Sequence, residues 1–496
     1  MPTITDTALP RELYTAADVR AMDRHAIERL GIPGAELMER AGAAAFAALR
    51  RRWPHARFVS VVCGGGNNGG DGYVIARLAM QQGLDVRVYA VTHPNALQGD
   101  ARRAFELYDR QGGSWLDFVP AQLESAEVVV DALFGTGLTR EITGLQAAVV
   151  AAINRSEAGI LAVDIPSGLH ADSGAVMGCA VNADVTVSFI GLKRGLFSGE
   201  GPACAGDVVY DDLQTPSEVR NGRACSAQLL FDEDTRLPPR RRNAHKGNFG
   251  HVLVIGGDRG LNGAARLAAE AAARSGAGLV SIATHPDHAA FLNVTRPELM
   301  CRGVSNRQDL QPLLDRASVI VLGPGLGQSE WSHLLYSAAL GSGVPLVIDA
   351  DGLNLLAGHP EHRTDWILTP HPGEAGRLLQ TTTRDIEVDR FRWVAELQRR
   401  YGGVAVLKGA GTLIRNNDGP IQVCRAGNPG MASGGMGDVL TGIVAGLLAQ
   451  GLTPVDAARF GVQWHASAGD LAARRNGERG LLASDLLASL RKVANA

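Results

Sequence analysis

Cysteine is sparse in this 496-residue chain: Cys63, Cys179, Cys204, Cys225, Cys301 and Cys424 lie far apart, with no CxxC pair and none beside a suitable histidine. That excludes a disulfide scaffold and a thiolate zinc site, and fits the reduced thiols of a cytoplasmic protein. Neither sign of charge dominates, since 48 Lys and Arg face 51 Asp and Glu for a formal net charge of -3. There is thus no electrostatic case for a nucleic-acid or lipid partner. No apolar run approaches the roughly 18 residues that span a bilayer; Ile443 to Leu448 is short and flanked by glycine. The opening residues MPTITDTALPRELYTAADVR lack the apolar core of a signal peptide. With 45% hydrophobic and 20% charged residues, the expectation is an ordinary globular cytoplasmic protein with small-molecule partners, no membrane and no nucleic acid.

What the chain does have is repeated strand-then-helix patterning. In the first half, Phe58 to Val62, Asp85 to Tyr89, Val128 to Asp131 and Ile160 to Asp164 are short β-branched runs separated by Ala-rich helical stretches. Near-continuous apolar strands alternating with helices predict a parallel sheet covered on both faces, a Rossmann-like three-layer α/β domain. Thr15 to Asp18 opens a helix like a capping box, with Asp in the place of Glu. Prolines and scattered charges over Gln214 to Arg242, including Arg240-Arg241-Arg242, break the pattern. This predicts a domain over 1–225, a linker over 226–240 with solvated arginines, and a second α/β domain over 241–496. The second series starts at His251 to Ile255 and continues through Val319 to Leu322, Leu346 to Asp349 and Val404 to Leu407.

Ligands of open parallel sheets bind beyond the carboxyl ends of strands, so the residues there are candidates for a site. After the first strand, GGGNNGGDG (Gly64 to Gly72) has more glycine than a tight turn needs, which favours close approach by a ligand ahead of a helix over Tyr73 to Gln82. It is neither a Walker A loop nor a GxGxxG fingerprint. Later strand ends carry Asp131 with a glycine turn, and Asp164 with Ser167. Together with Asn68 these can supply oxygen ligands for a hard cation and one carboxylate for proton transfer.

In the second half, Ser433-Gly434-Gly435-Met436-Gly437-Asp438 precedes a helical run over Val439 to Gln450. Glycine N–H groups and a helix N-terminus make an anion cradle with Asp438 as base, and the same residues equally suit a capped helix. His371, between two prolines, equally suits a turn; Lys408 suits a surface charge; Asp349 and Asp351 suit caps or a supporting role.

The motifs GGGNNGGDG, DALFGTGL and VDIPSGL, preceded by LMERAG, resemble the NAD(P)HX epimerase family over nearly the whole first half. The resemblance implies that Asn67, Asn68, Gly69, Gly70 and Asp71 hold substrate phosphates. It also implies that Gly135, Thr136, Gly137, Leu138, Thr139, Arg140 and Glu141 line the substrate. Asn68, Asp131 and Ser167 would hold a potassium ion, and Asp164 would meet the damaged nicotinamide and move its proton. The segments KGNFGHVLVIGG, GPGLG, DADGLN, TPHPGE, LKGAGT and NPGMASGGMGDVLTG resemble the ribokinase-like ADP/ATP-dependent NAD(P)HX dehydratases. By that resemblance Lys408, Gly409, Ala410, Gly411, Thr412 and Gly437 contact the adenine nucleotide. Ala264, Gly325, His371 and Asp438 contact the hydrated cofactor, with Asp438 catalytic.

The implied activity is epimerisation of R- and S-NAD(P)HX and ADP-driven dehydration of the S form to NAD(P)H, AMP and phosphate, with magnesium on the nucleotide. A homo-oligomer is also implied. The alternatives are an ATP-dependent dehydratase, a ribokinase-like kinase of a vitamin alcohol, or a non-catalytic binding module.

Overall fold

The computed structural model describes residues 9–119, 123, 126–220 and 223–496. Residues 1–8 of the opening segment and residues 221 and 222 of the expected boundary lie outside the described residues. The chain divides into two compact units, Met1–Gln228 and Leu229–Ala496.

The first unit is built on a seven-stranded sheet in the order Trp115–Asp117, Asp85–Ala90, Phe58–Cys63, Val128–Ala132, Gly159–Val163, Val185–Phe189 and Asp207–Asp211. All neighbours are parallel. The period of two in a strand sends alternate side chains to opposite faces. Val59, Val61, Val128 and Val130 pack into one core with the helices Gly34–Arg52 and Asn67–Gln81, while Val62 and Val129 join the opposite core with Val149 and Ile153. Connections leave Phe58–Cys63 toward one edge and Val128–Ala132 toward the other, so the chain reverses direction between these two strands. A crevice therefore opens at their carboxyl ends. The helix Ala16–Glu28 starts in the expected capping box: Asp18 N–H donates to Thr15 Oγ1 at 3.2 Å, and the Asp18 carboxylate accepts from Thr15 N–H at 3.2 Å.

The second unit runs Met300–Gly303, Leu279–Thr284, His251–Ile255, Val319–Leu322, Leu346–Ile348, Trp366–Leu368 and Val404–Leu407 in parallel, then Thr412–Arg415 and Ile421–Cys424 antiparallel. Its direction reverses between His251–Ile255 and Val319–Leu322. The helices Asn262–Ser275 and Met436–Ala449 cover one face over Val252, Val254, Val319 and Val321.

Two expectations need correction. The segment 226–240 is not a free linker. Ala227 and Gln228 pair with Leu13 and Glu12, Asp232 accepts from Gln463 and Ser467, and Trp464 donates to the Thr235 carbonyl at 2.9 Å. Arg240, Arg241 and Arg242 are exposed as expected, although Arg240 also donates to the Gly276 carbonyl at 2.7 Å and lies 3.6 Å over the Phe249 ring. Both glycine motifs enter their helices earlier than composition suggested: the helices begin at Asn67 and Met436, so NNGGDG and MGD are first turns rather than loops. Glycine is unfavourable in a helix through backbone entropy, which hides such a start, but it is tolerated where packing demands it.

Candidate functional site

In the first unit, a cavity of about 660 Å³ opens at the crevice between Phe58–Cys63 and Val128–Ala132. Asn67, Asn68, Asp71, Gly135, Thr136, Gly137, Leu138, Thr139, Arg140 and Asp164 line it. Gly69, Gly70 and Glu141 are not among the lining residues. The glycines are packed instead: a Cβ on Gly69 would lie 2.1 Å from the Gly64 carbonyl oxygen, and one on Gly70 would lie 2.6 Å from Met38 Sδ. Gly66, the residue before the helix, faces open space. The helix has no side-chain cap, and its free first-turn N–H groups suit an anion.

Asp131 and Ser167 lie fully buried behind the cavity wall. Asp131 Oδ1 accepts from the Ser167 hydroxyl at 2.6 Å, and Oδ2 accepts from Ser167 N–H at 2.8 Å. Burial lifts the Asp131 carboxyl to about 6 against these bonds. Asn68 is buried with neither its amide oxygen nor its nitrogen bonded, beside Gly135. A carboxylate, a hydroxyl and an orphaned amide oxygen form a donor set suited to a hard cation. Asp164 lies just past its strand with φ 69, a left-handed conformation uncommon for a residue with a Cβ. Its Oδ1 is ion-paired with Lys193, which is fully buried and also donates to Ser188 Oγ at 3.1 Å and the Phe189 carbonyl at 3.2 Å.

In the second unit the site forms around Lys408. Its ammonium lies 2.6 Å from Asp349 Oδ1 and 3.7 Å from Glu374 Oε2, and a Cβ on Gly437 would lie 3.1 Å from it. Burial opposes the charge, but Asp349 and Glu374 hold the Lys408 pKa above its usual value. Asp349 accepts from Thr441 at 2.8 Å; burial raises this carboxyl, and the adjacent ammonium more than offsets that, leaving it below the usual range. Asp438 occupies the third position of the helix Met436–Ala449, whose N-cap Gly435 is left-handed (φ 89) and offers no side-chain cap. Asp438 is therefore not the cap. Burial, reinforced by Asp349 and opposed by Lys408, pushes it up to about 7.

His371 does cap a helix: its Nδ1 accepts from Gly373 N–H at 3.0 Å, while Nε2 lies 3.4 Å from Glu374 Oε1. Burial and then the Lys408 charge hold the imidazole below its usual value. Asp349 and Asp351 make no cap for Ala350–Gly358; Asp351 instead accepts from Gly327 N–H at 2.8 Å and so ties down the GPGLG turn. At the crevice, Asp258 N–H donates to the Gly325 carbonyl at 2.8 Å, and a Cβ on Gly325 (φ 58) would strike the Leu261 carbonyl at 2.3 Å. Ala264 is in the first turn of the adjoining helix Asn262–Ser275. Gly409, Ala410 and Gly411 form the turn between Val404–Leu407 and Thr412–Arg415, and Arg390 braces it by donating to the Leu407 and Lys408 carbonyls.

Residues 34–195 match the family described as YjeF-related protein N-terminus, and residues 252–492 match NAD(P)H-hydrate dehydratase. A bifunctional NAD(P)H-hydrate repair enzyme of Coxiella burnetii is 49% identical over 97% of this chain and 99% of its own length. The chain belongs to this family. The repair enzyme of the same description from Escherichia coli is 44% identical over 98% of this chain and 95% of its own length. A ribokinase-like superfamily protein of Enterococcus faecalis superposes with a TM-score of 0.50 at 29% identity, covering 54% of this chain and 96% of its own.

Sequence reasoning about this repair-enzyme chain passed over Asp23, Lys193, Glu374, Arg390 and Thr441. A signal for the most consequential was present. The chain has only four lysines, Lys193, Lys246, Lys408 and Lys492, and Lys193 interrupts an apolar run. A lone lysine among apolar residues is buried only when a carboxylate accompanies it.

Proposed function

We propose that the first unit epimerises R- and S-NAD(P)HX and that the second dehydrates S-NAD(P)HX to NAD(P)H at the expense of ADP. The observation that carries the reading is Asp438: a carboxyl raised by burial to about 7 in the first turn of a helix it does not cap, near the part-buried Lys408 ammonium. Hydration puts a hydroxyl on C6 of the nicotinamide ring, and hydroxide is a poor leaving group. A phosphate ester departs readily once the ring nitrogen's lone pair can expel it.

Asp438 takes the proton of the 6-hydroxyl, whose oxygen attacks the terminal phosphoryl of ADP. N–H groups of Gly434 to Gly437 meet the charge on the group in transfer. Lys408, kept cationic by Asp349 and Glu374, places a further positive charge at the same helix end. Loss of phosphate from C6, driven by the N1 lone pair, and of a proton from C5, whose C–H pair becomes the ring double bond, gives NAD(P)H and phosphate, with AMP left behind. Neutral His371 suits hydrogen bonding to an uncharged ring better than ion pairing.

Among the described residues, no group of three or more His, Cys, Asp or Glu side chains is placed to hold a metal. Magnesium would be held by the nucleotide phosphates, where it would neutralise charge as phosphoryl transfer proceeds. Asn68, Asp131 and Ser167 would hold potassium, which would fix the phosphate-binding end of the first cavity.

The test is incubation with mixed NADHX epimers while reduced-nicotinamide absorbance is followed. ADP should bring near-complete recovery, and omitting it should bring none. Recovery independent of nucleotide, or a stable phosphorylated product, would overturn the reading.

A further inference from the structure

Four aspartates, Asp23, Asp71, Asp100 and Asp164, line the first cavity together with Arg20 and Arg140, and Lys193 lies behind the wall. Asp23 comes from the helix Ala16–Glu28, Asp71 from the helix Asn67–Gln81 and Asp164 from the carboxyl end of the interior strand Gly159–Val163, and all three line the same space. Lys193 is committed to Asp164 by a direct ion pair and is anchored from behind by Ser188 and the Phe189 carbonyl. Lys193 is thereby taken up by Asp164, while Asp23 and Asp71 make no direct ion pair with it and are desolvated.

The environments sort them. Burial, then the neighbouring Asp164 and Asp23, holds Asp71 well above the usual carboxylate range, so it stays protonated. Asp23 is half-buried, and burial raises it to about 6, with Lys193 and Arg24 opposing and Asp164 reinforcing. Asp23 can therefore give up and regain a proton near neutrality. Arg20, the other charge on this helix that lines the cavity, is turned to the Thr136 carbonyl at 3.1 Å. A carboxylate in a direct ion pair and a carboxyl raised by burial, lining one cavity, are suited to act as base and acid.

We propose that Asp23 is the second catalytic residue of epimerisation, acting as the acid while Asp164, held by Lys193, acts as the base. This rests on reading the cavity as the epimerase site. Asp164 takes the proton of the 6-hydroxyl, and the O–H electron pair becomes the second bond of a C6 aldehyde. The C6–N1 bond breaks, its electron pair goes to N1, and N1 takes the proton of Asp23. Rotation about the freed carbon chain presents the other aldehyde face. Closure then runs the same transfers backward, returning both carboxyls to their starting states. The net change is isomerisation, with no co-reactant. Lys193 is a positioning residue that fixes the Asp164 carboxylate by a direct ion pair.

The experiment uses the full chain with resolved R-NADHX, no ADP, and epimers separated chromatographically. Asp23→Asn should slow interconversion by roughly 10²-fold or more. It should also abolish the fall in rate as pH rises above about 6, a limb that exists because the acid must be protonated. Asp23→Glu should restore most of the rate and the limb. A parental urea-unfolding midpoint for the first unit in each variant reports that the unit carrying the substitution is folded. Asp23→Asn within twofold of the parent, or an unaltered pH profile, would overturn the inference. Asp164→Ala separates the two levels. If it is inactive while Asp23→Asn is active, only this inference fails; if it is fully active, the epimerase reading of the cavity fails.

Discussion

Asp438 shows what a single side chain's surroundings decide. An acid placed before an apolar helical run is compatible with a cap or a base, and sequence contains no term that separates them. The separation comes from two facts of packing: Gly435 occupies the cap position, and Asp349 crowds the site with a second carboxylate. Asp438 acts as a base only when ionised, so dehydration should climb with pH through about 7 and level off above it. Asp438→Asn should lower ADP-dependent dehydration by roughly 10² to 10⁴-fold and flatten that climb, measured as the initial rate of NADH formation. A variant with near-parental rate and the same profile would remove Asp438 from the chemistry. Lys408 was ambiguous for a related reason. A lysine ending a strand reads as surface charge until its long-range partner Asp349, 59 residues earlier, is placed beside it.

At the scale of elements, the strands were legible because β-branched runs bounded by glycine and acids have few other uses. Phe58–Cys63, Val128–Ala132, His251–Ile255 and Val404–Leu407 emerge where expected. The short strands Trp366–Leu368 and Met300–Gly303 were not seen, since three or four residues carry too little periodicity. Helix starts were misplaced at both glycine motifs because their glycines answer to packing between elements, a property absent from local composition. This yields a discriminating test at Gly69. If Gly69 served only close approach by a phosphate, Gly69→Ala would impair epimerisation and leave stability untouched. With a Cβ 2.1 Å from the Gly64 carbonyl oxygen, the strand-to-helix turn must shift. Urea unfolding of the first unit should then show a loss of about 1–3 kcal/mol. An unchanged midpoint would restore the ligand reading.

At the scale of the whole molecule, both units place their candidate residues where a parallel sheet reverses its winding or at neighbouring strand ends, so one architectural rule positions two chemistries. The motifs expose this because ligand-facing loops carry unusual glycine and acid content, while the boundary is blurred because residues 226–240 look like a linker by composition yet are tied down at Ala227, Gln228, Asp232 and Thr235. A dehydratase that accepts one epimer leaves the other stranded, and a fused epimerase returns it to use. Asp164→Ala should therefore stop ADP-driven recovery from a mixed pool at the S share, with the remainder following only as fast as the epimers interconvert unaided. Mixing that variant with Asp438→Asn chains unites an intact dehydratase site with an intact epimerase site on different molecules. If the epimers travel through solution, the mixture should recover the whole pool at a rate set by the slower site. Recovery that stays at the S share would mean that the epimerase product reaches only the dehydratase of its own chain.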